Sequence, residues 1–242
     1  MMETDLANCD AIVLAEPYPG DETKPIPLGI TGKVLYEILV EGRAAHGFRP
    51  HLGINAVEEA ARILASLDRL PMRTHPSFGR GNTCTLKIEG GYQVYSVVVP
   101  DRCRVEINRL LVPGESASTA LQDMEELIAS LDIKATTRVA LKPPRYDPFL
   151  VSQDAPIIQV FHQVYRQVMG RDPLYAHCEG ITDANVFAEK GIPCLHLGPV
   201  RGNVHQPNEY VDLAGLAPLT TIYTLIAARF LTAAEGDDEP SP

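Results

Sequence analysis

Two residues in short, turn-like motifs have the chemistry of metal ligands. Glu16 stands in a Glu-Pro turn after the apolar run Asp10–Leu14, and His205 stands in the loop motif His-Gln-Pro-Asn-Glu. Carboxylate oxygen and imidazole nitrogen both suit Zn²⁺. Taken singly, an acid at a strand end or a histidine in a loop is more often a surface or core residue. By themselves, the two residues therefore do not establish a metal site.

The elements between residues 28 and 141 follow the order strand, helix, strand, strand, helix, strand. Period-two and helical patterns predict strands at Lys33–Val40, Thr83–Ile88, Arg102–Ile107 and Thr136–Leu141, a helix capped by Asn55 and running to about Leu70, and a helix around Leu121–Leu131. This is the split βαβ arrangement, a ferredoxin-like α+β module with two helices on one face of an antiparallel sheet.

The flanking stretches, 1–27 and 142–233, predict a second domain. After the Asp10–Leu14 strand, the Pro and Gly cluster through Pro27 is typical of a loop. A helix with Pro156 in its first turn, strands near Leu174 and at Cys194–Leu197, a helix at Asn185–Lys190 and a last helix from Leu216 to Phe230 complete the predicted elements. Such alternation predicts an α/β layer. Residues 234–242 have the charge and proline content of a disordered tail.

Composition excludes several functional classes. The formal net charge of -10 argues against a nucleic-acid partner, because binding phosphate backbones needs clustered Lys and Arg. The five cysteines form no Cys-x-x-Cys pair, which fits neither a disulfide framework nor a thiolate zinc site. The acidic N-terminus is unlike a signal peptide, and no apolar run approaches the length that spans a membrane. These features predict a soluble, cytoplasmic protein.

Four segments together resemble one enzyme family. They are AIVLAEP (Ala11 to Pro17), GRAAHGFRPHLGINAVEEA (Gly42 to Ala60), TDANVFAEKGIP (Thr182 to Pro193) and GPVRGNVHQPNEYV (Gly198 to Val211). They are similar to the dinuclear zinc amidohydrolases that include aminoacylase, acetylornithine deacetylase, succinyl-diaminopimelate desuccinylase and several carboxypeptidases and dipeptidases. The resemblance runs from about Asp10 to Phe230. It implies an α/β fold in which a partial zinc-exopeptidase-like catalytic domain carries an inserted ferredoxin-like dimerisation domain at 28–141.

The resemblance gives three residues a role at the metal centre. It implies that Glu16 binds one zinc ion and His205 the other, with two zinc ions in a full-length parent and cobalt or manganese as possible substitutes. It also implies a homodimer through residues 28–141, in which His46 reaches the partner's active site as an oxyanion donor. An imidazole there can stabilise negative charge developing on the scissile carbonyl oxygen. The alternative is a histidine that merely finishes a strand.

Arg109 matches the arginine of the family's Asp-x-Arg-x-x-Pro-Gly-Glu pattern. Its planar guanidinium could bind a substrate carboxylate with two hydrogen bonds. A surface arginine at a strand end is an equally good interpretation. Val97 stands where many family members carry an asparagine, which puts one polar contact in doubt.

Further residues match positions around the substrate pocket. The resemblance places Gly198 and Pro199 in the loop that lines the pocket and Thr182 in the Gly-x-Thr-Asp element beneath it. For Asp183 a helix N-cap is the better-supported role. Glu209 is expected to orient His205 or to cap a turn.

Most of the family's metal ligands have no counterpart in this sequence. The family's His-x-Asp element, bridging aspartate and Glu-Glu pair precede the Glu-Pro turn, whereas the few residues before Glu16 contain no histidine and no Glu-Glu. The first glutamate of that pair is the general base. The chain is therefore expected to bind zinc poorly, to lack hydrolase activity by itself, and to expose apolar edges of its catalytic layer.

Two functions stay open. One is a fragment of a metal-dependent hydrolase that cleaves the amide bond of an N-acyl amino acid or of a short peptide with a free carboxylate. The other is a non-catalytic remnant that dimerises or binds a small molecule.

Overall fold

The computed structural model describes residues 9–92, 94 and 97–235. Contacts divide the chain into two compact units: the first combines the stretch that ends at Ile30 with the stretch that begins at Phe149, and the second is Thr31–Pro148. The strands are β1 (Ile12–Leu14), β2 (Ile26–Ile30), β3 (Gly32–Glu41), β4 (Thr74–His75), β5 (Gly79–Arg80), β6 (Asn82–Gly90), β7 (Arg102–Leu111), β8 (Thr136–Tyr146), β9 (Phe149–Leu150), β10 (Tyr175–Cys178), β11 (Cys194–His196), β12 (Arg201–Gly202) and β13 (Tyr210–Val211). The α-helices are α1 (Ala56–Leu64), α2 (Ala117–Ala129), α3 (Pro156–Met169), α4 (Ala184–Ala188) and α5 (Leu216–Glu235).

The second unit is built on one antiparallel sheet with the strand order β6-β7-β3-β8. Along β3, buried residues such as Val34, Tyr36 and Ile38 alternate with half-buried ones, as the period of two requires. Helices α1 and α2 pack on this sheet in one hydrophobic core. The order strand, helix, strand, strand, helix, strand is confirmed.

Helix α1 begins at a side-chain cap and ends before a short turn. The Asn55 side chain accepts hydrogen bonds from the backbone N–H groups of Val57 and Glu58, which confirms the predicted cap. Helix α1 ends at Leu64, earlier than predicted, and a short 3₁₀ turn follows before the buried Leu70. Because the apolar spacing continues through that turn, the sequence predicted a helix running to about Leu70.

Two segments differ from the sequence predictions. Strand β8 continues through Pro143 and Pro144 to Tyr146, because it is an edge strand, where a missing N–H costs no sheet hydrogen bond. The segment predicted as a loop through Pro27 contains β2, which is buried between β10 and β9. The second unit therefore runs over 31–148, a few residues later at each end than the predicted 28–141.

The first unit contains short parallel strands and two long helices. Strand β1 pairs with β11 in parallel, and β2 pairs in parallel with β10 and antiparallel with β9. Helices α3 and α5 pack together with these strands in a second core that includes Phe161, Tyr165 and Ile222. Helix α3 begins at Pro156 as predicted. Of the tail predicted at 234–242, residues 236–242 lie outside the described residues.

The last helix is unusually apolar. The segment Leu213–Thr232 is long and apolar enough to cross a membrane by length and composition alone, which differs from the expectation that no run would qualify. Leu219, Ile222 and Ile226 on one of its faces are buried. Core helices of water-soluble proteins satisfy the same criterion, so this helix is weak support for a membrane span.

Candidate functional site

Glu16 and Gly198 lie side by side, each following one of two paired parallel strands. Strands β1 and β11 pair from Ile12 opposite Cys194 to Leu14 opposite His196. A Cβ atom at Gly198 would lie 2.3 Å from the Glu16 carbonyl oxygen, so only glycine permits this approach. Ligands of open α/β sheets bind at the carboxyl ends of parallel strands. The structure thus joins two of the predicted site motifs at the edge where a ligand is expected.

The turn after Glu16 carries a buried tyrosine. The Tyr18 backbone N–H donates to the Glu16 carbonyl oxygen at 2.7 Å, and the Lys24 Nζ atom lies 4.2 Å from the centre of the Tyr18 ring. Burial raises the pKa of Tyr18 far above its ordinary range, and burial also raises the pKa of the nearby Cys178 thiol. Burial therefore favours the protonated form of both groups.

His205 lies in the loop between β12 and β13. These two strands pair antiparallel, and the Asn203 side chain closes the loop by donating to the Asn208 carbonyl oxygen at 3.2 Å. His205 has a φ of 59° and is exposed. A left-handed backbone is uncommon for a histidine, and the loop presents its imidazole to solvent.

The residues present do not fit a zinc ion by themselves. Within the described ranges, no three His, Cys, Asp or Glu side chains come together in a group that could hold a metal ion. Tight zinc sites need three or four ligands held together. Glu16 and His205 could serve only as parts of larger ligand sets.

Glu209 pairs with an arginine and not with His205. Its Oε1 atom lies 3.5 Å from the Arg201 Nη1 atom. In this structure Glu209 therefore pairs with a guanidinium, a stronger partner for a carboxylate than an imidazole, and does not orient His205; its alternative role of capping a turn stays a prediction. The contact links β12 to the residue that precedes β13.

Thr182 makes a hydrogen bond that the sequence did not predict. Its Oγ1 atom lies 2.9 Å from the Nε2 atom of His196, which is completely buried in β11. Burial lowers the pKa of His196 to about 4. The only signal in the sequence was a polar residue inside an otherwise apolar strand, two positions before Gly198.

Asp183 is not a side-chain cap of α4. It occupies the N-cap position without a capping hydrogen bond. Instead, the Thr182 Oγ1 atom accepts from the Ala184 backbone N–H at 3.2 Å, and the Asn185 side chain accepts from the Thr182 N–H. The predicted cap is therefore wrong by one residue, because a threonine hydroxyl two residues back reaches the same donor.

His46 lies in a pocket of about 670 Å³ on the second unit. The Phe48 backbone N–H donates to the His46 Nδ1 atom at 3.2 Å, so a neutral ring carries its proton on Nε2. That N–H is the kind of donor an oxyanion contact needs. Val97 lines the same pocket and is 40% exposed, so an apolar side chain stands where the family pattern often has an asparagine.

Arg109 is neither a surface residue nor an open ligand-binding group. Its side chain is completely buried, and its guanidinium donates to Glu115 at 2.7 Å, Asp123 at 2.9 Å, the Tyr36 hydroxyl and the Pro71 carbonyl oxygen. These partners occupy both terminal nitrogens. The structure therefore favours a structural role for Arg109 over the predicted contact with a substrate carboxylate.

Comparison with known sequences identifies the second unit. Residues 28–136 match the peptidase dimerisation domain of the M20 family. Among curated proteins, the chain is 26% identical over 206 residues to the succinyl-diaminopimelate desuccinylase of Xanthomonas campestris pv. campestris (strain 8004), covering 84% of this chain and 53% of that enzyme. It is 26% identical over 239 residues to the same enzyme of Phenylobacterium zucineum, covering 95% and 61%. The chain thus spans little more than half the length of these relatives.

Comparison with solved structures supports the same fold. Aminopeptidase PepT from Bacillus cereus matches with a TM-score of 0.73 and 20% identity over 92% of this chain and 58% of that protein. An M20 family metallo-carboxypeptidase from Sulfolobus solfataricus matches with a TM-score of 0.68 and 12% identity over 92% and 64%. These comparisons support the M20 family: residues 28–136 match its peptidase dimerisation domain, and the chain as a whole fits a partial M20 fold.

Proposed function

We propose that this chain carries the dimerisation domain and part of the catalytic site of a zinc-dependent amidohydrolase. Its substrates would be N-acyl amino acids or short peptides with a free carboxylate. The observation that supports this most is the junction of Glu16 and Gly198, since it brings two family motifs together at the ligand-binding edge of parallel strands. The desuccinylases among its relatives support amide hydrolysis as the reaction class.

Within this proposal, Glu16 and His205 each supply one ligand to a different zinc ion. The remaining ligands and the general base must come from polypeptide beyond this sequence. Hydrolase activity depends on them. Thr182 and Gly198 contact the substrate. His46 donates a hydrogen bond from Nε2 to the developing oxyanion in the partner subunit's active site, and the Phe48 N–H supports that tautomer.

The DNA upstream of the Met1 codon distinguishes an enzyme from a remnant. A stretch that encodes His-x-Asp and Glu-Glu favours the enzyme, whereas unrelated sequence contradicts it. A protein extended by such a stretch is assayed against N-succinyl and N-acetyl amino acids and dipeptides. We expect Glu16→Gln and His205→Ala to abolish turnover, and the exposed Glu22→Gln to leave it unchanged.

The same extended protein tests His46. Oxyanion donors are worth about 2.7 to 4 kcal/mol, so we expect His46→Ala to lower kcat by roughly 10² to 10³. His51→Ala is the matched control, because His51 is another exposed histidine of the same unit. Equal kcat values for the two variants would remove His46 from the mechanism.

We also propose that the chain forms a homodimer through its second unit. The family match to a dimerisation domain supports this. Strand β6 supports it too, because it is an edge strand with Leu86 and Ile88 exposed by 59% and 47%, and such edges invite pairing. We expect a dimer by light scattering and a monomer for the double variant Leu86→Lys, Ile88→Lys.

A cytoplasmic location belongs to the same proposal. All five cysteines are free, which supports a reducing compartment. We place the protein there as a soluble enzyme with a small-molecule substrate.

The alternative is a non-catalytic remnant that dimerises or binds a small molecule. It is favoured by the described part of the chain, in which no group of three potential metal ligands comes together. Upstream DNA without the missing motifs, together with a stable dimer, would support this alternative.

A further inference from the structure

His196 and Thr182 form a buried pair next to the junction of Glu16 and Gly198. His196 ends β11 between the fully buried Leu195 and Leu197, and its own exposed fraction is 0%. The ring meets the Tyr18 ring edge-on, with the two centres 5.6 Å apart. A buried polar ring costs free energy unless its hydrogen bonds are made. The contact from Nε2 to the Thr182 hydroxyl at 2.9 Å is therefore the interaction that accounts for a histidine here.

The surroundings of the ring decide which nitrogen carries its proton. Burial keeps the ring neutral at pH 7, since the pKa of His196 falls to about 4. The Nδ1 atom is buried and makes no hydrogen bond with the described residues. A proton on Nδ1 would be a buried N–H without an acceptor, which is rarer in proteins than an acceptor lacking a donor. The proton therefore belongs on Nε2, which donates to Thr182.

The consequence for Thr182 is a hydroxyl whose acceptor sites are filled. Its Oγ1 atom accepts from His196 Nε2–H and from the Ala184 backbone N–H at 3.2 Å. A hydroxyl has two lone pairs and one hydrogen, so the free part of this group is its O–H donor. Thr182 is half-buried, so a ligand can approach it. The hydroxyl can therefore bind an acceptor oxygen.

We propose that His196 is a positioning residue that fixes the Thr182 hydroxyl as a hydrogen-bond donor to a carbonyl or carboxylate oxygen of the substrate. This inference rests on the proposed function, because only there does Thr182 contact a substrate. It adds a requirement that the proposed function does not contain: the specificity of the Thr182 contact for an acceptor depends on the tautomer of a second, buried residue.

Ring nitrogen chemical shifts of ¹⁵N-labelled protein test the tautomer without any activity. We expect the Nε2–H form of His196 at pH 7. Thr182→Ser keeps a hydroxyl and should leave the Nε2 signal near its wild-type position, whereas Thr182→Val removes the partner and should move it. An Nδ1–H tautomer, or an Nε2 signal that is the same in Thr182→Val, would overturn the inference.

A titration with N-acetylglycine, followed by amide shifts of Thr182 and Ala184, tests the donor role. Loss of one hydrogen bond should weaken binding about fivefold in His196→Leu, and His196→Gln, which keeps an N–H donor, should recover most of it. Thermal unfolding of each variant controls for folding. Unchanged affinity in His196→Leu overturns the inference. A wild-type chain that has the Nε2–H tautomer but shows no response to N-acetylglycine contradicts the proposed function of Thr182 instead.

Discussion

The two units differ in the extent of their β-sheets. In the second unit, the sheet strands β3, β6, β7 and β8 are nine to eleven residues long and form one four-stranded sheet under two helices. In the first, β1 is three residues long and, among the described strands, pairs with β11 alone. An apolar groove of about 370 Å³ lies open there beside Val13 and Leu231.

This difference has a physical meaning. A four-stranded sheet with two helices packed against it in one core is a unit that can fold by itself. A short edge strand beside an exposed apolar groove is a surface that normally contacts other polypeptide. The chain spans 53% to 61% of the relatives described above. We therefore expect the second unit to be more stable against unfolding than the first.

The largest expected effect concerns the buried ion pairs of the second unit. Arg109→Met leaves Glu115 and Asp123 without their shared cation and should lower the free energy of unfolding by about 3 to 5 kcal/mol. The matched control is Arg102→Met, because Arg102 is 70% exposed and pairs with Glu41, a contact worth at most about 1 kcal/mol. Urea unfolding measures both. Equal losses would show that Arg109 does not hold this unit together.

The sequence predicted the elements of the second unit well, because its strands alternate at a period of two and Asn55 caps a clear helix. It could not predict that Arg109 is buried, since that depends on Glu115 and Asp123 arriving from different elements. In the first unit, the Pro and Gly cluster through Pro27 led to the prediction of a loop where the structure has β2.

The candidate site was predictable only in part. Glu16 and Gly198 were found as motifs, and the structure joins them. The pairing of Thr182 with His196 was missed, because a lone histidine in an apolar strand carries no signal of its partner. The sequence analysis predicted Asp183 as the cap of α4. In the structure, the Thr182 hydroxyl accepts the hydrogen bond from the first turn of that helix instead.

The second prediction uses pH to weaken the first unit. Burial lowers the pKa of His196 from 6.5 to about 4, so the unfolded chain takes up a proton first as the pH falls. The contribution of the buried neutral ring to the free energy of unfolding is complete above about pH 6.5. It falls by on the order of 3 kcal/mol between pH 6.5 and pH 4. Because carboxylates also respond to acid, the informative quantity is the difference between wild type and His196→Gln. Identical losses between pH 7 and pH 4.5 would contradict the buried neutral ring.

A smaller effect is expected at the junction of the two parallel strands. Gly198→Ala places a methyl group against the Glu16 carbonyl oxygen, and such overpacking costs about 1 to 3 kcal/mol. Gly215→Ala is the control, because its nearest contact, with Pro199, is an ordinary 3.7 Å. Thermal unfolding of the two variants compares them. A Gly198→Ala protein as stable as Gly215→Ala would show that this approach is not tight.

The zinc content of the purified chain, measured by elemental analysis after addition of zinc and gel filtration, tests the central claim most directly. The claim is that Glu16 and His205 are single ligands of two metal sites whose other ligands lie in additional polypeptide. We predict less than one retained zinc ion per chain and no hydrolysis of N-succinyl or N-acetyl amino acids. Two retained zinc ions per chain, with turnover that Glu16→Gln abolishes, would contradict it.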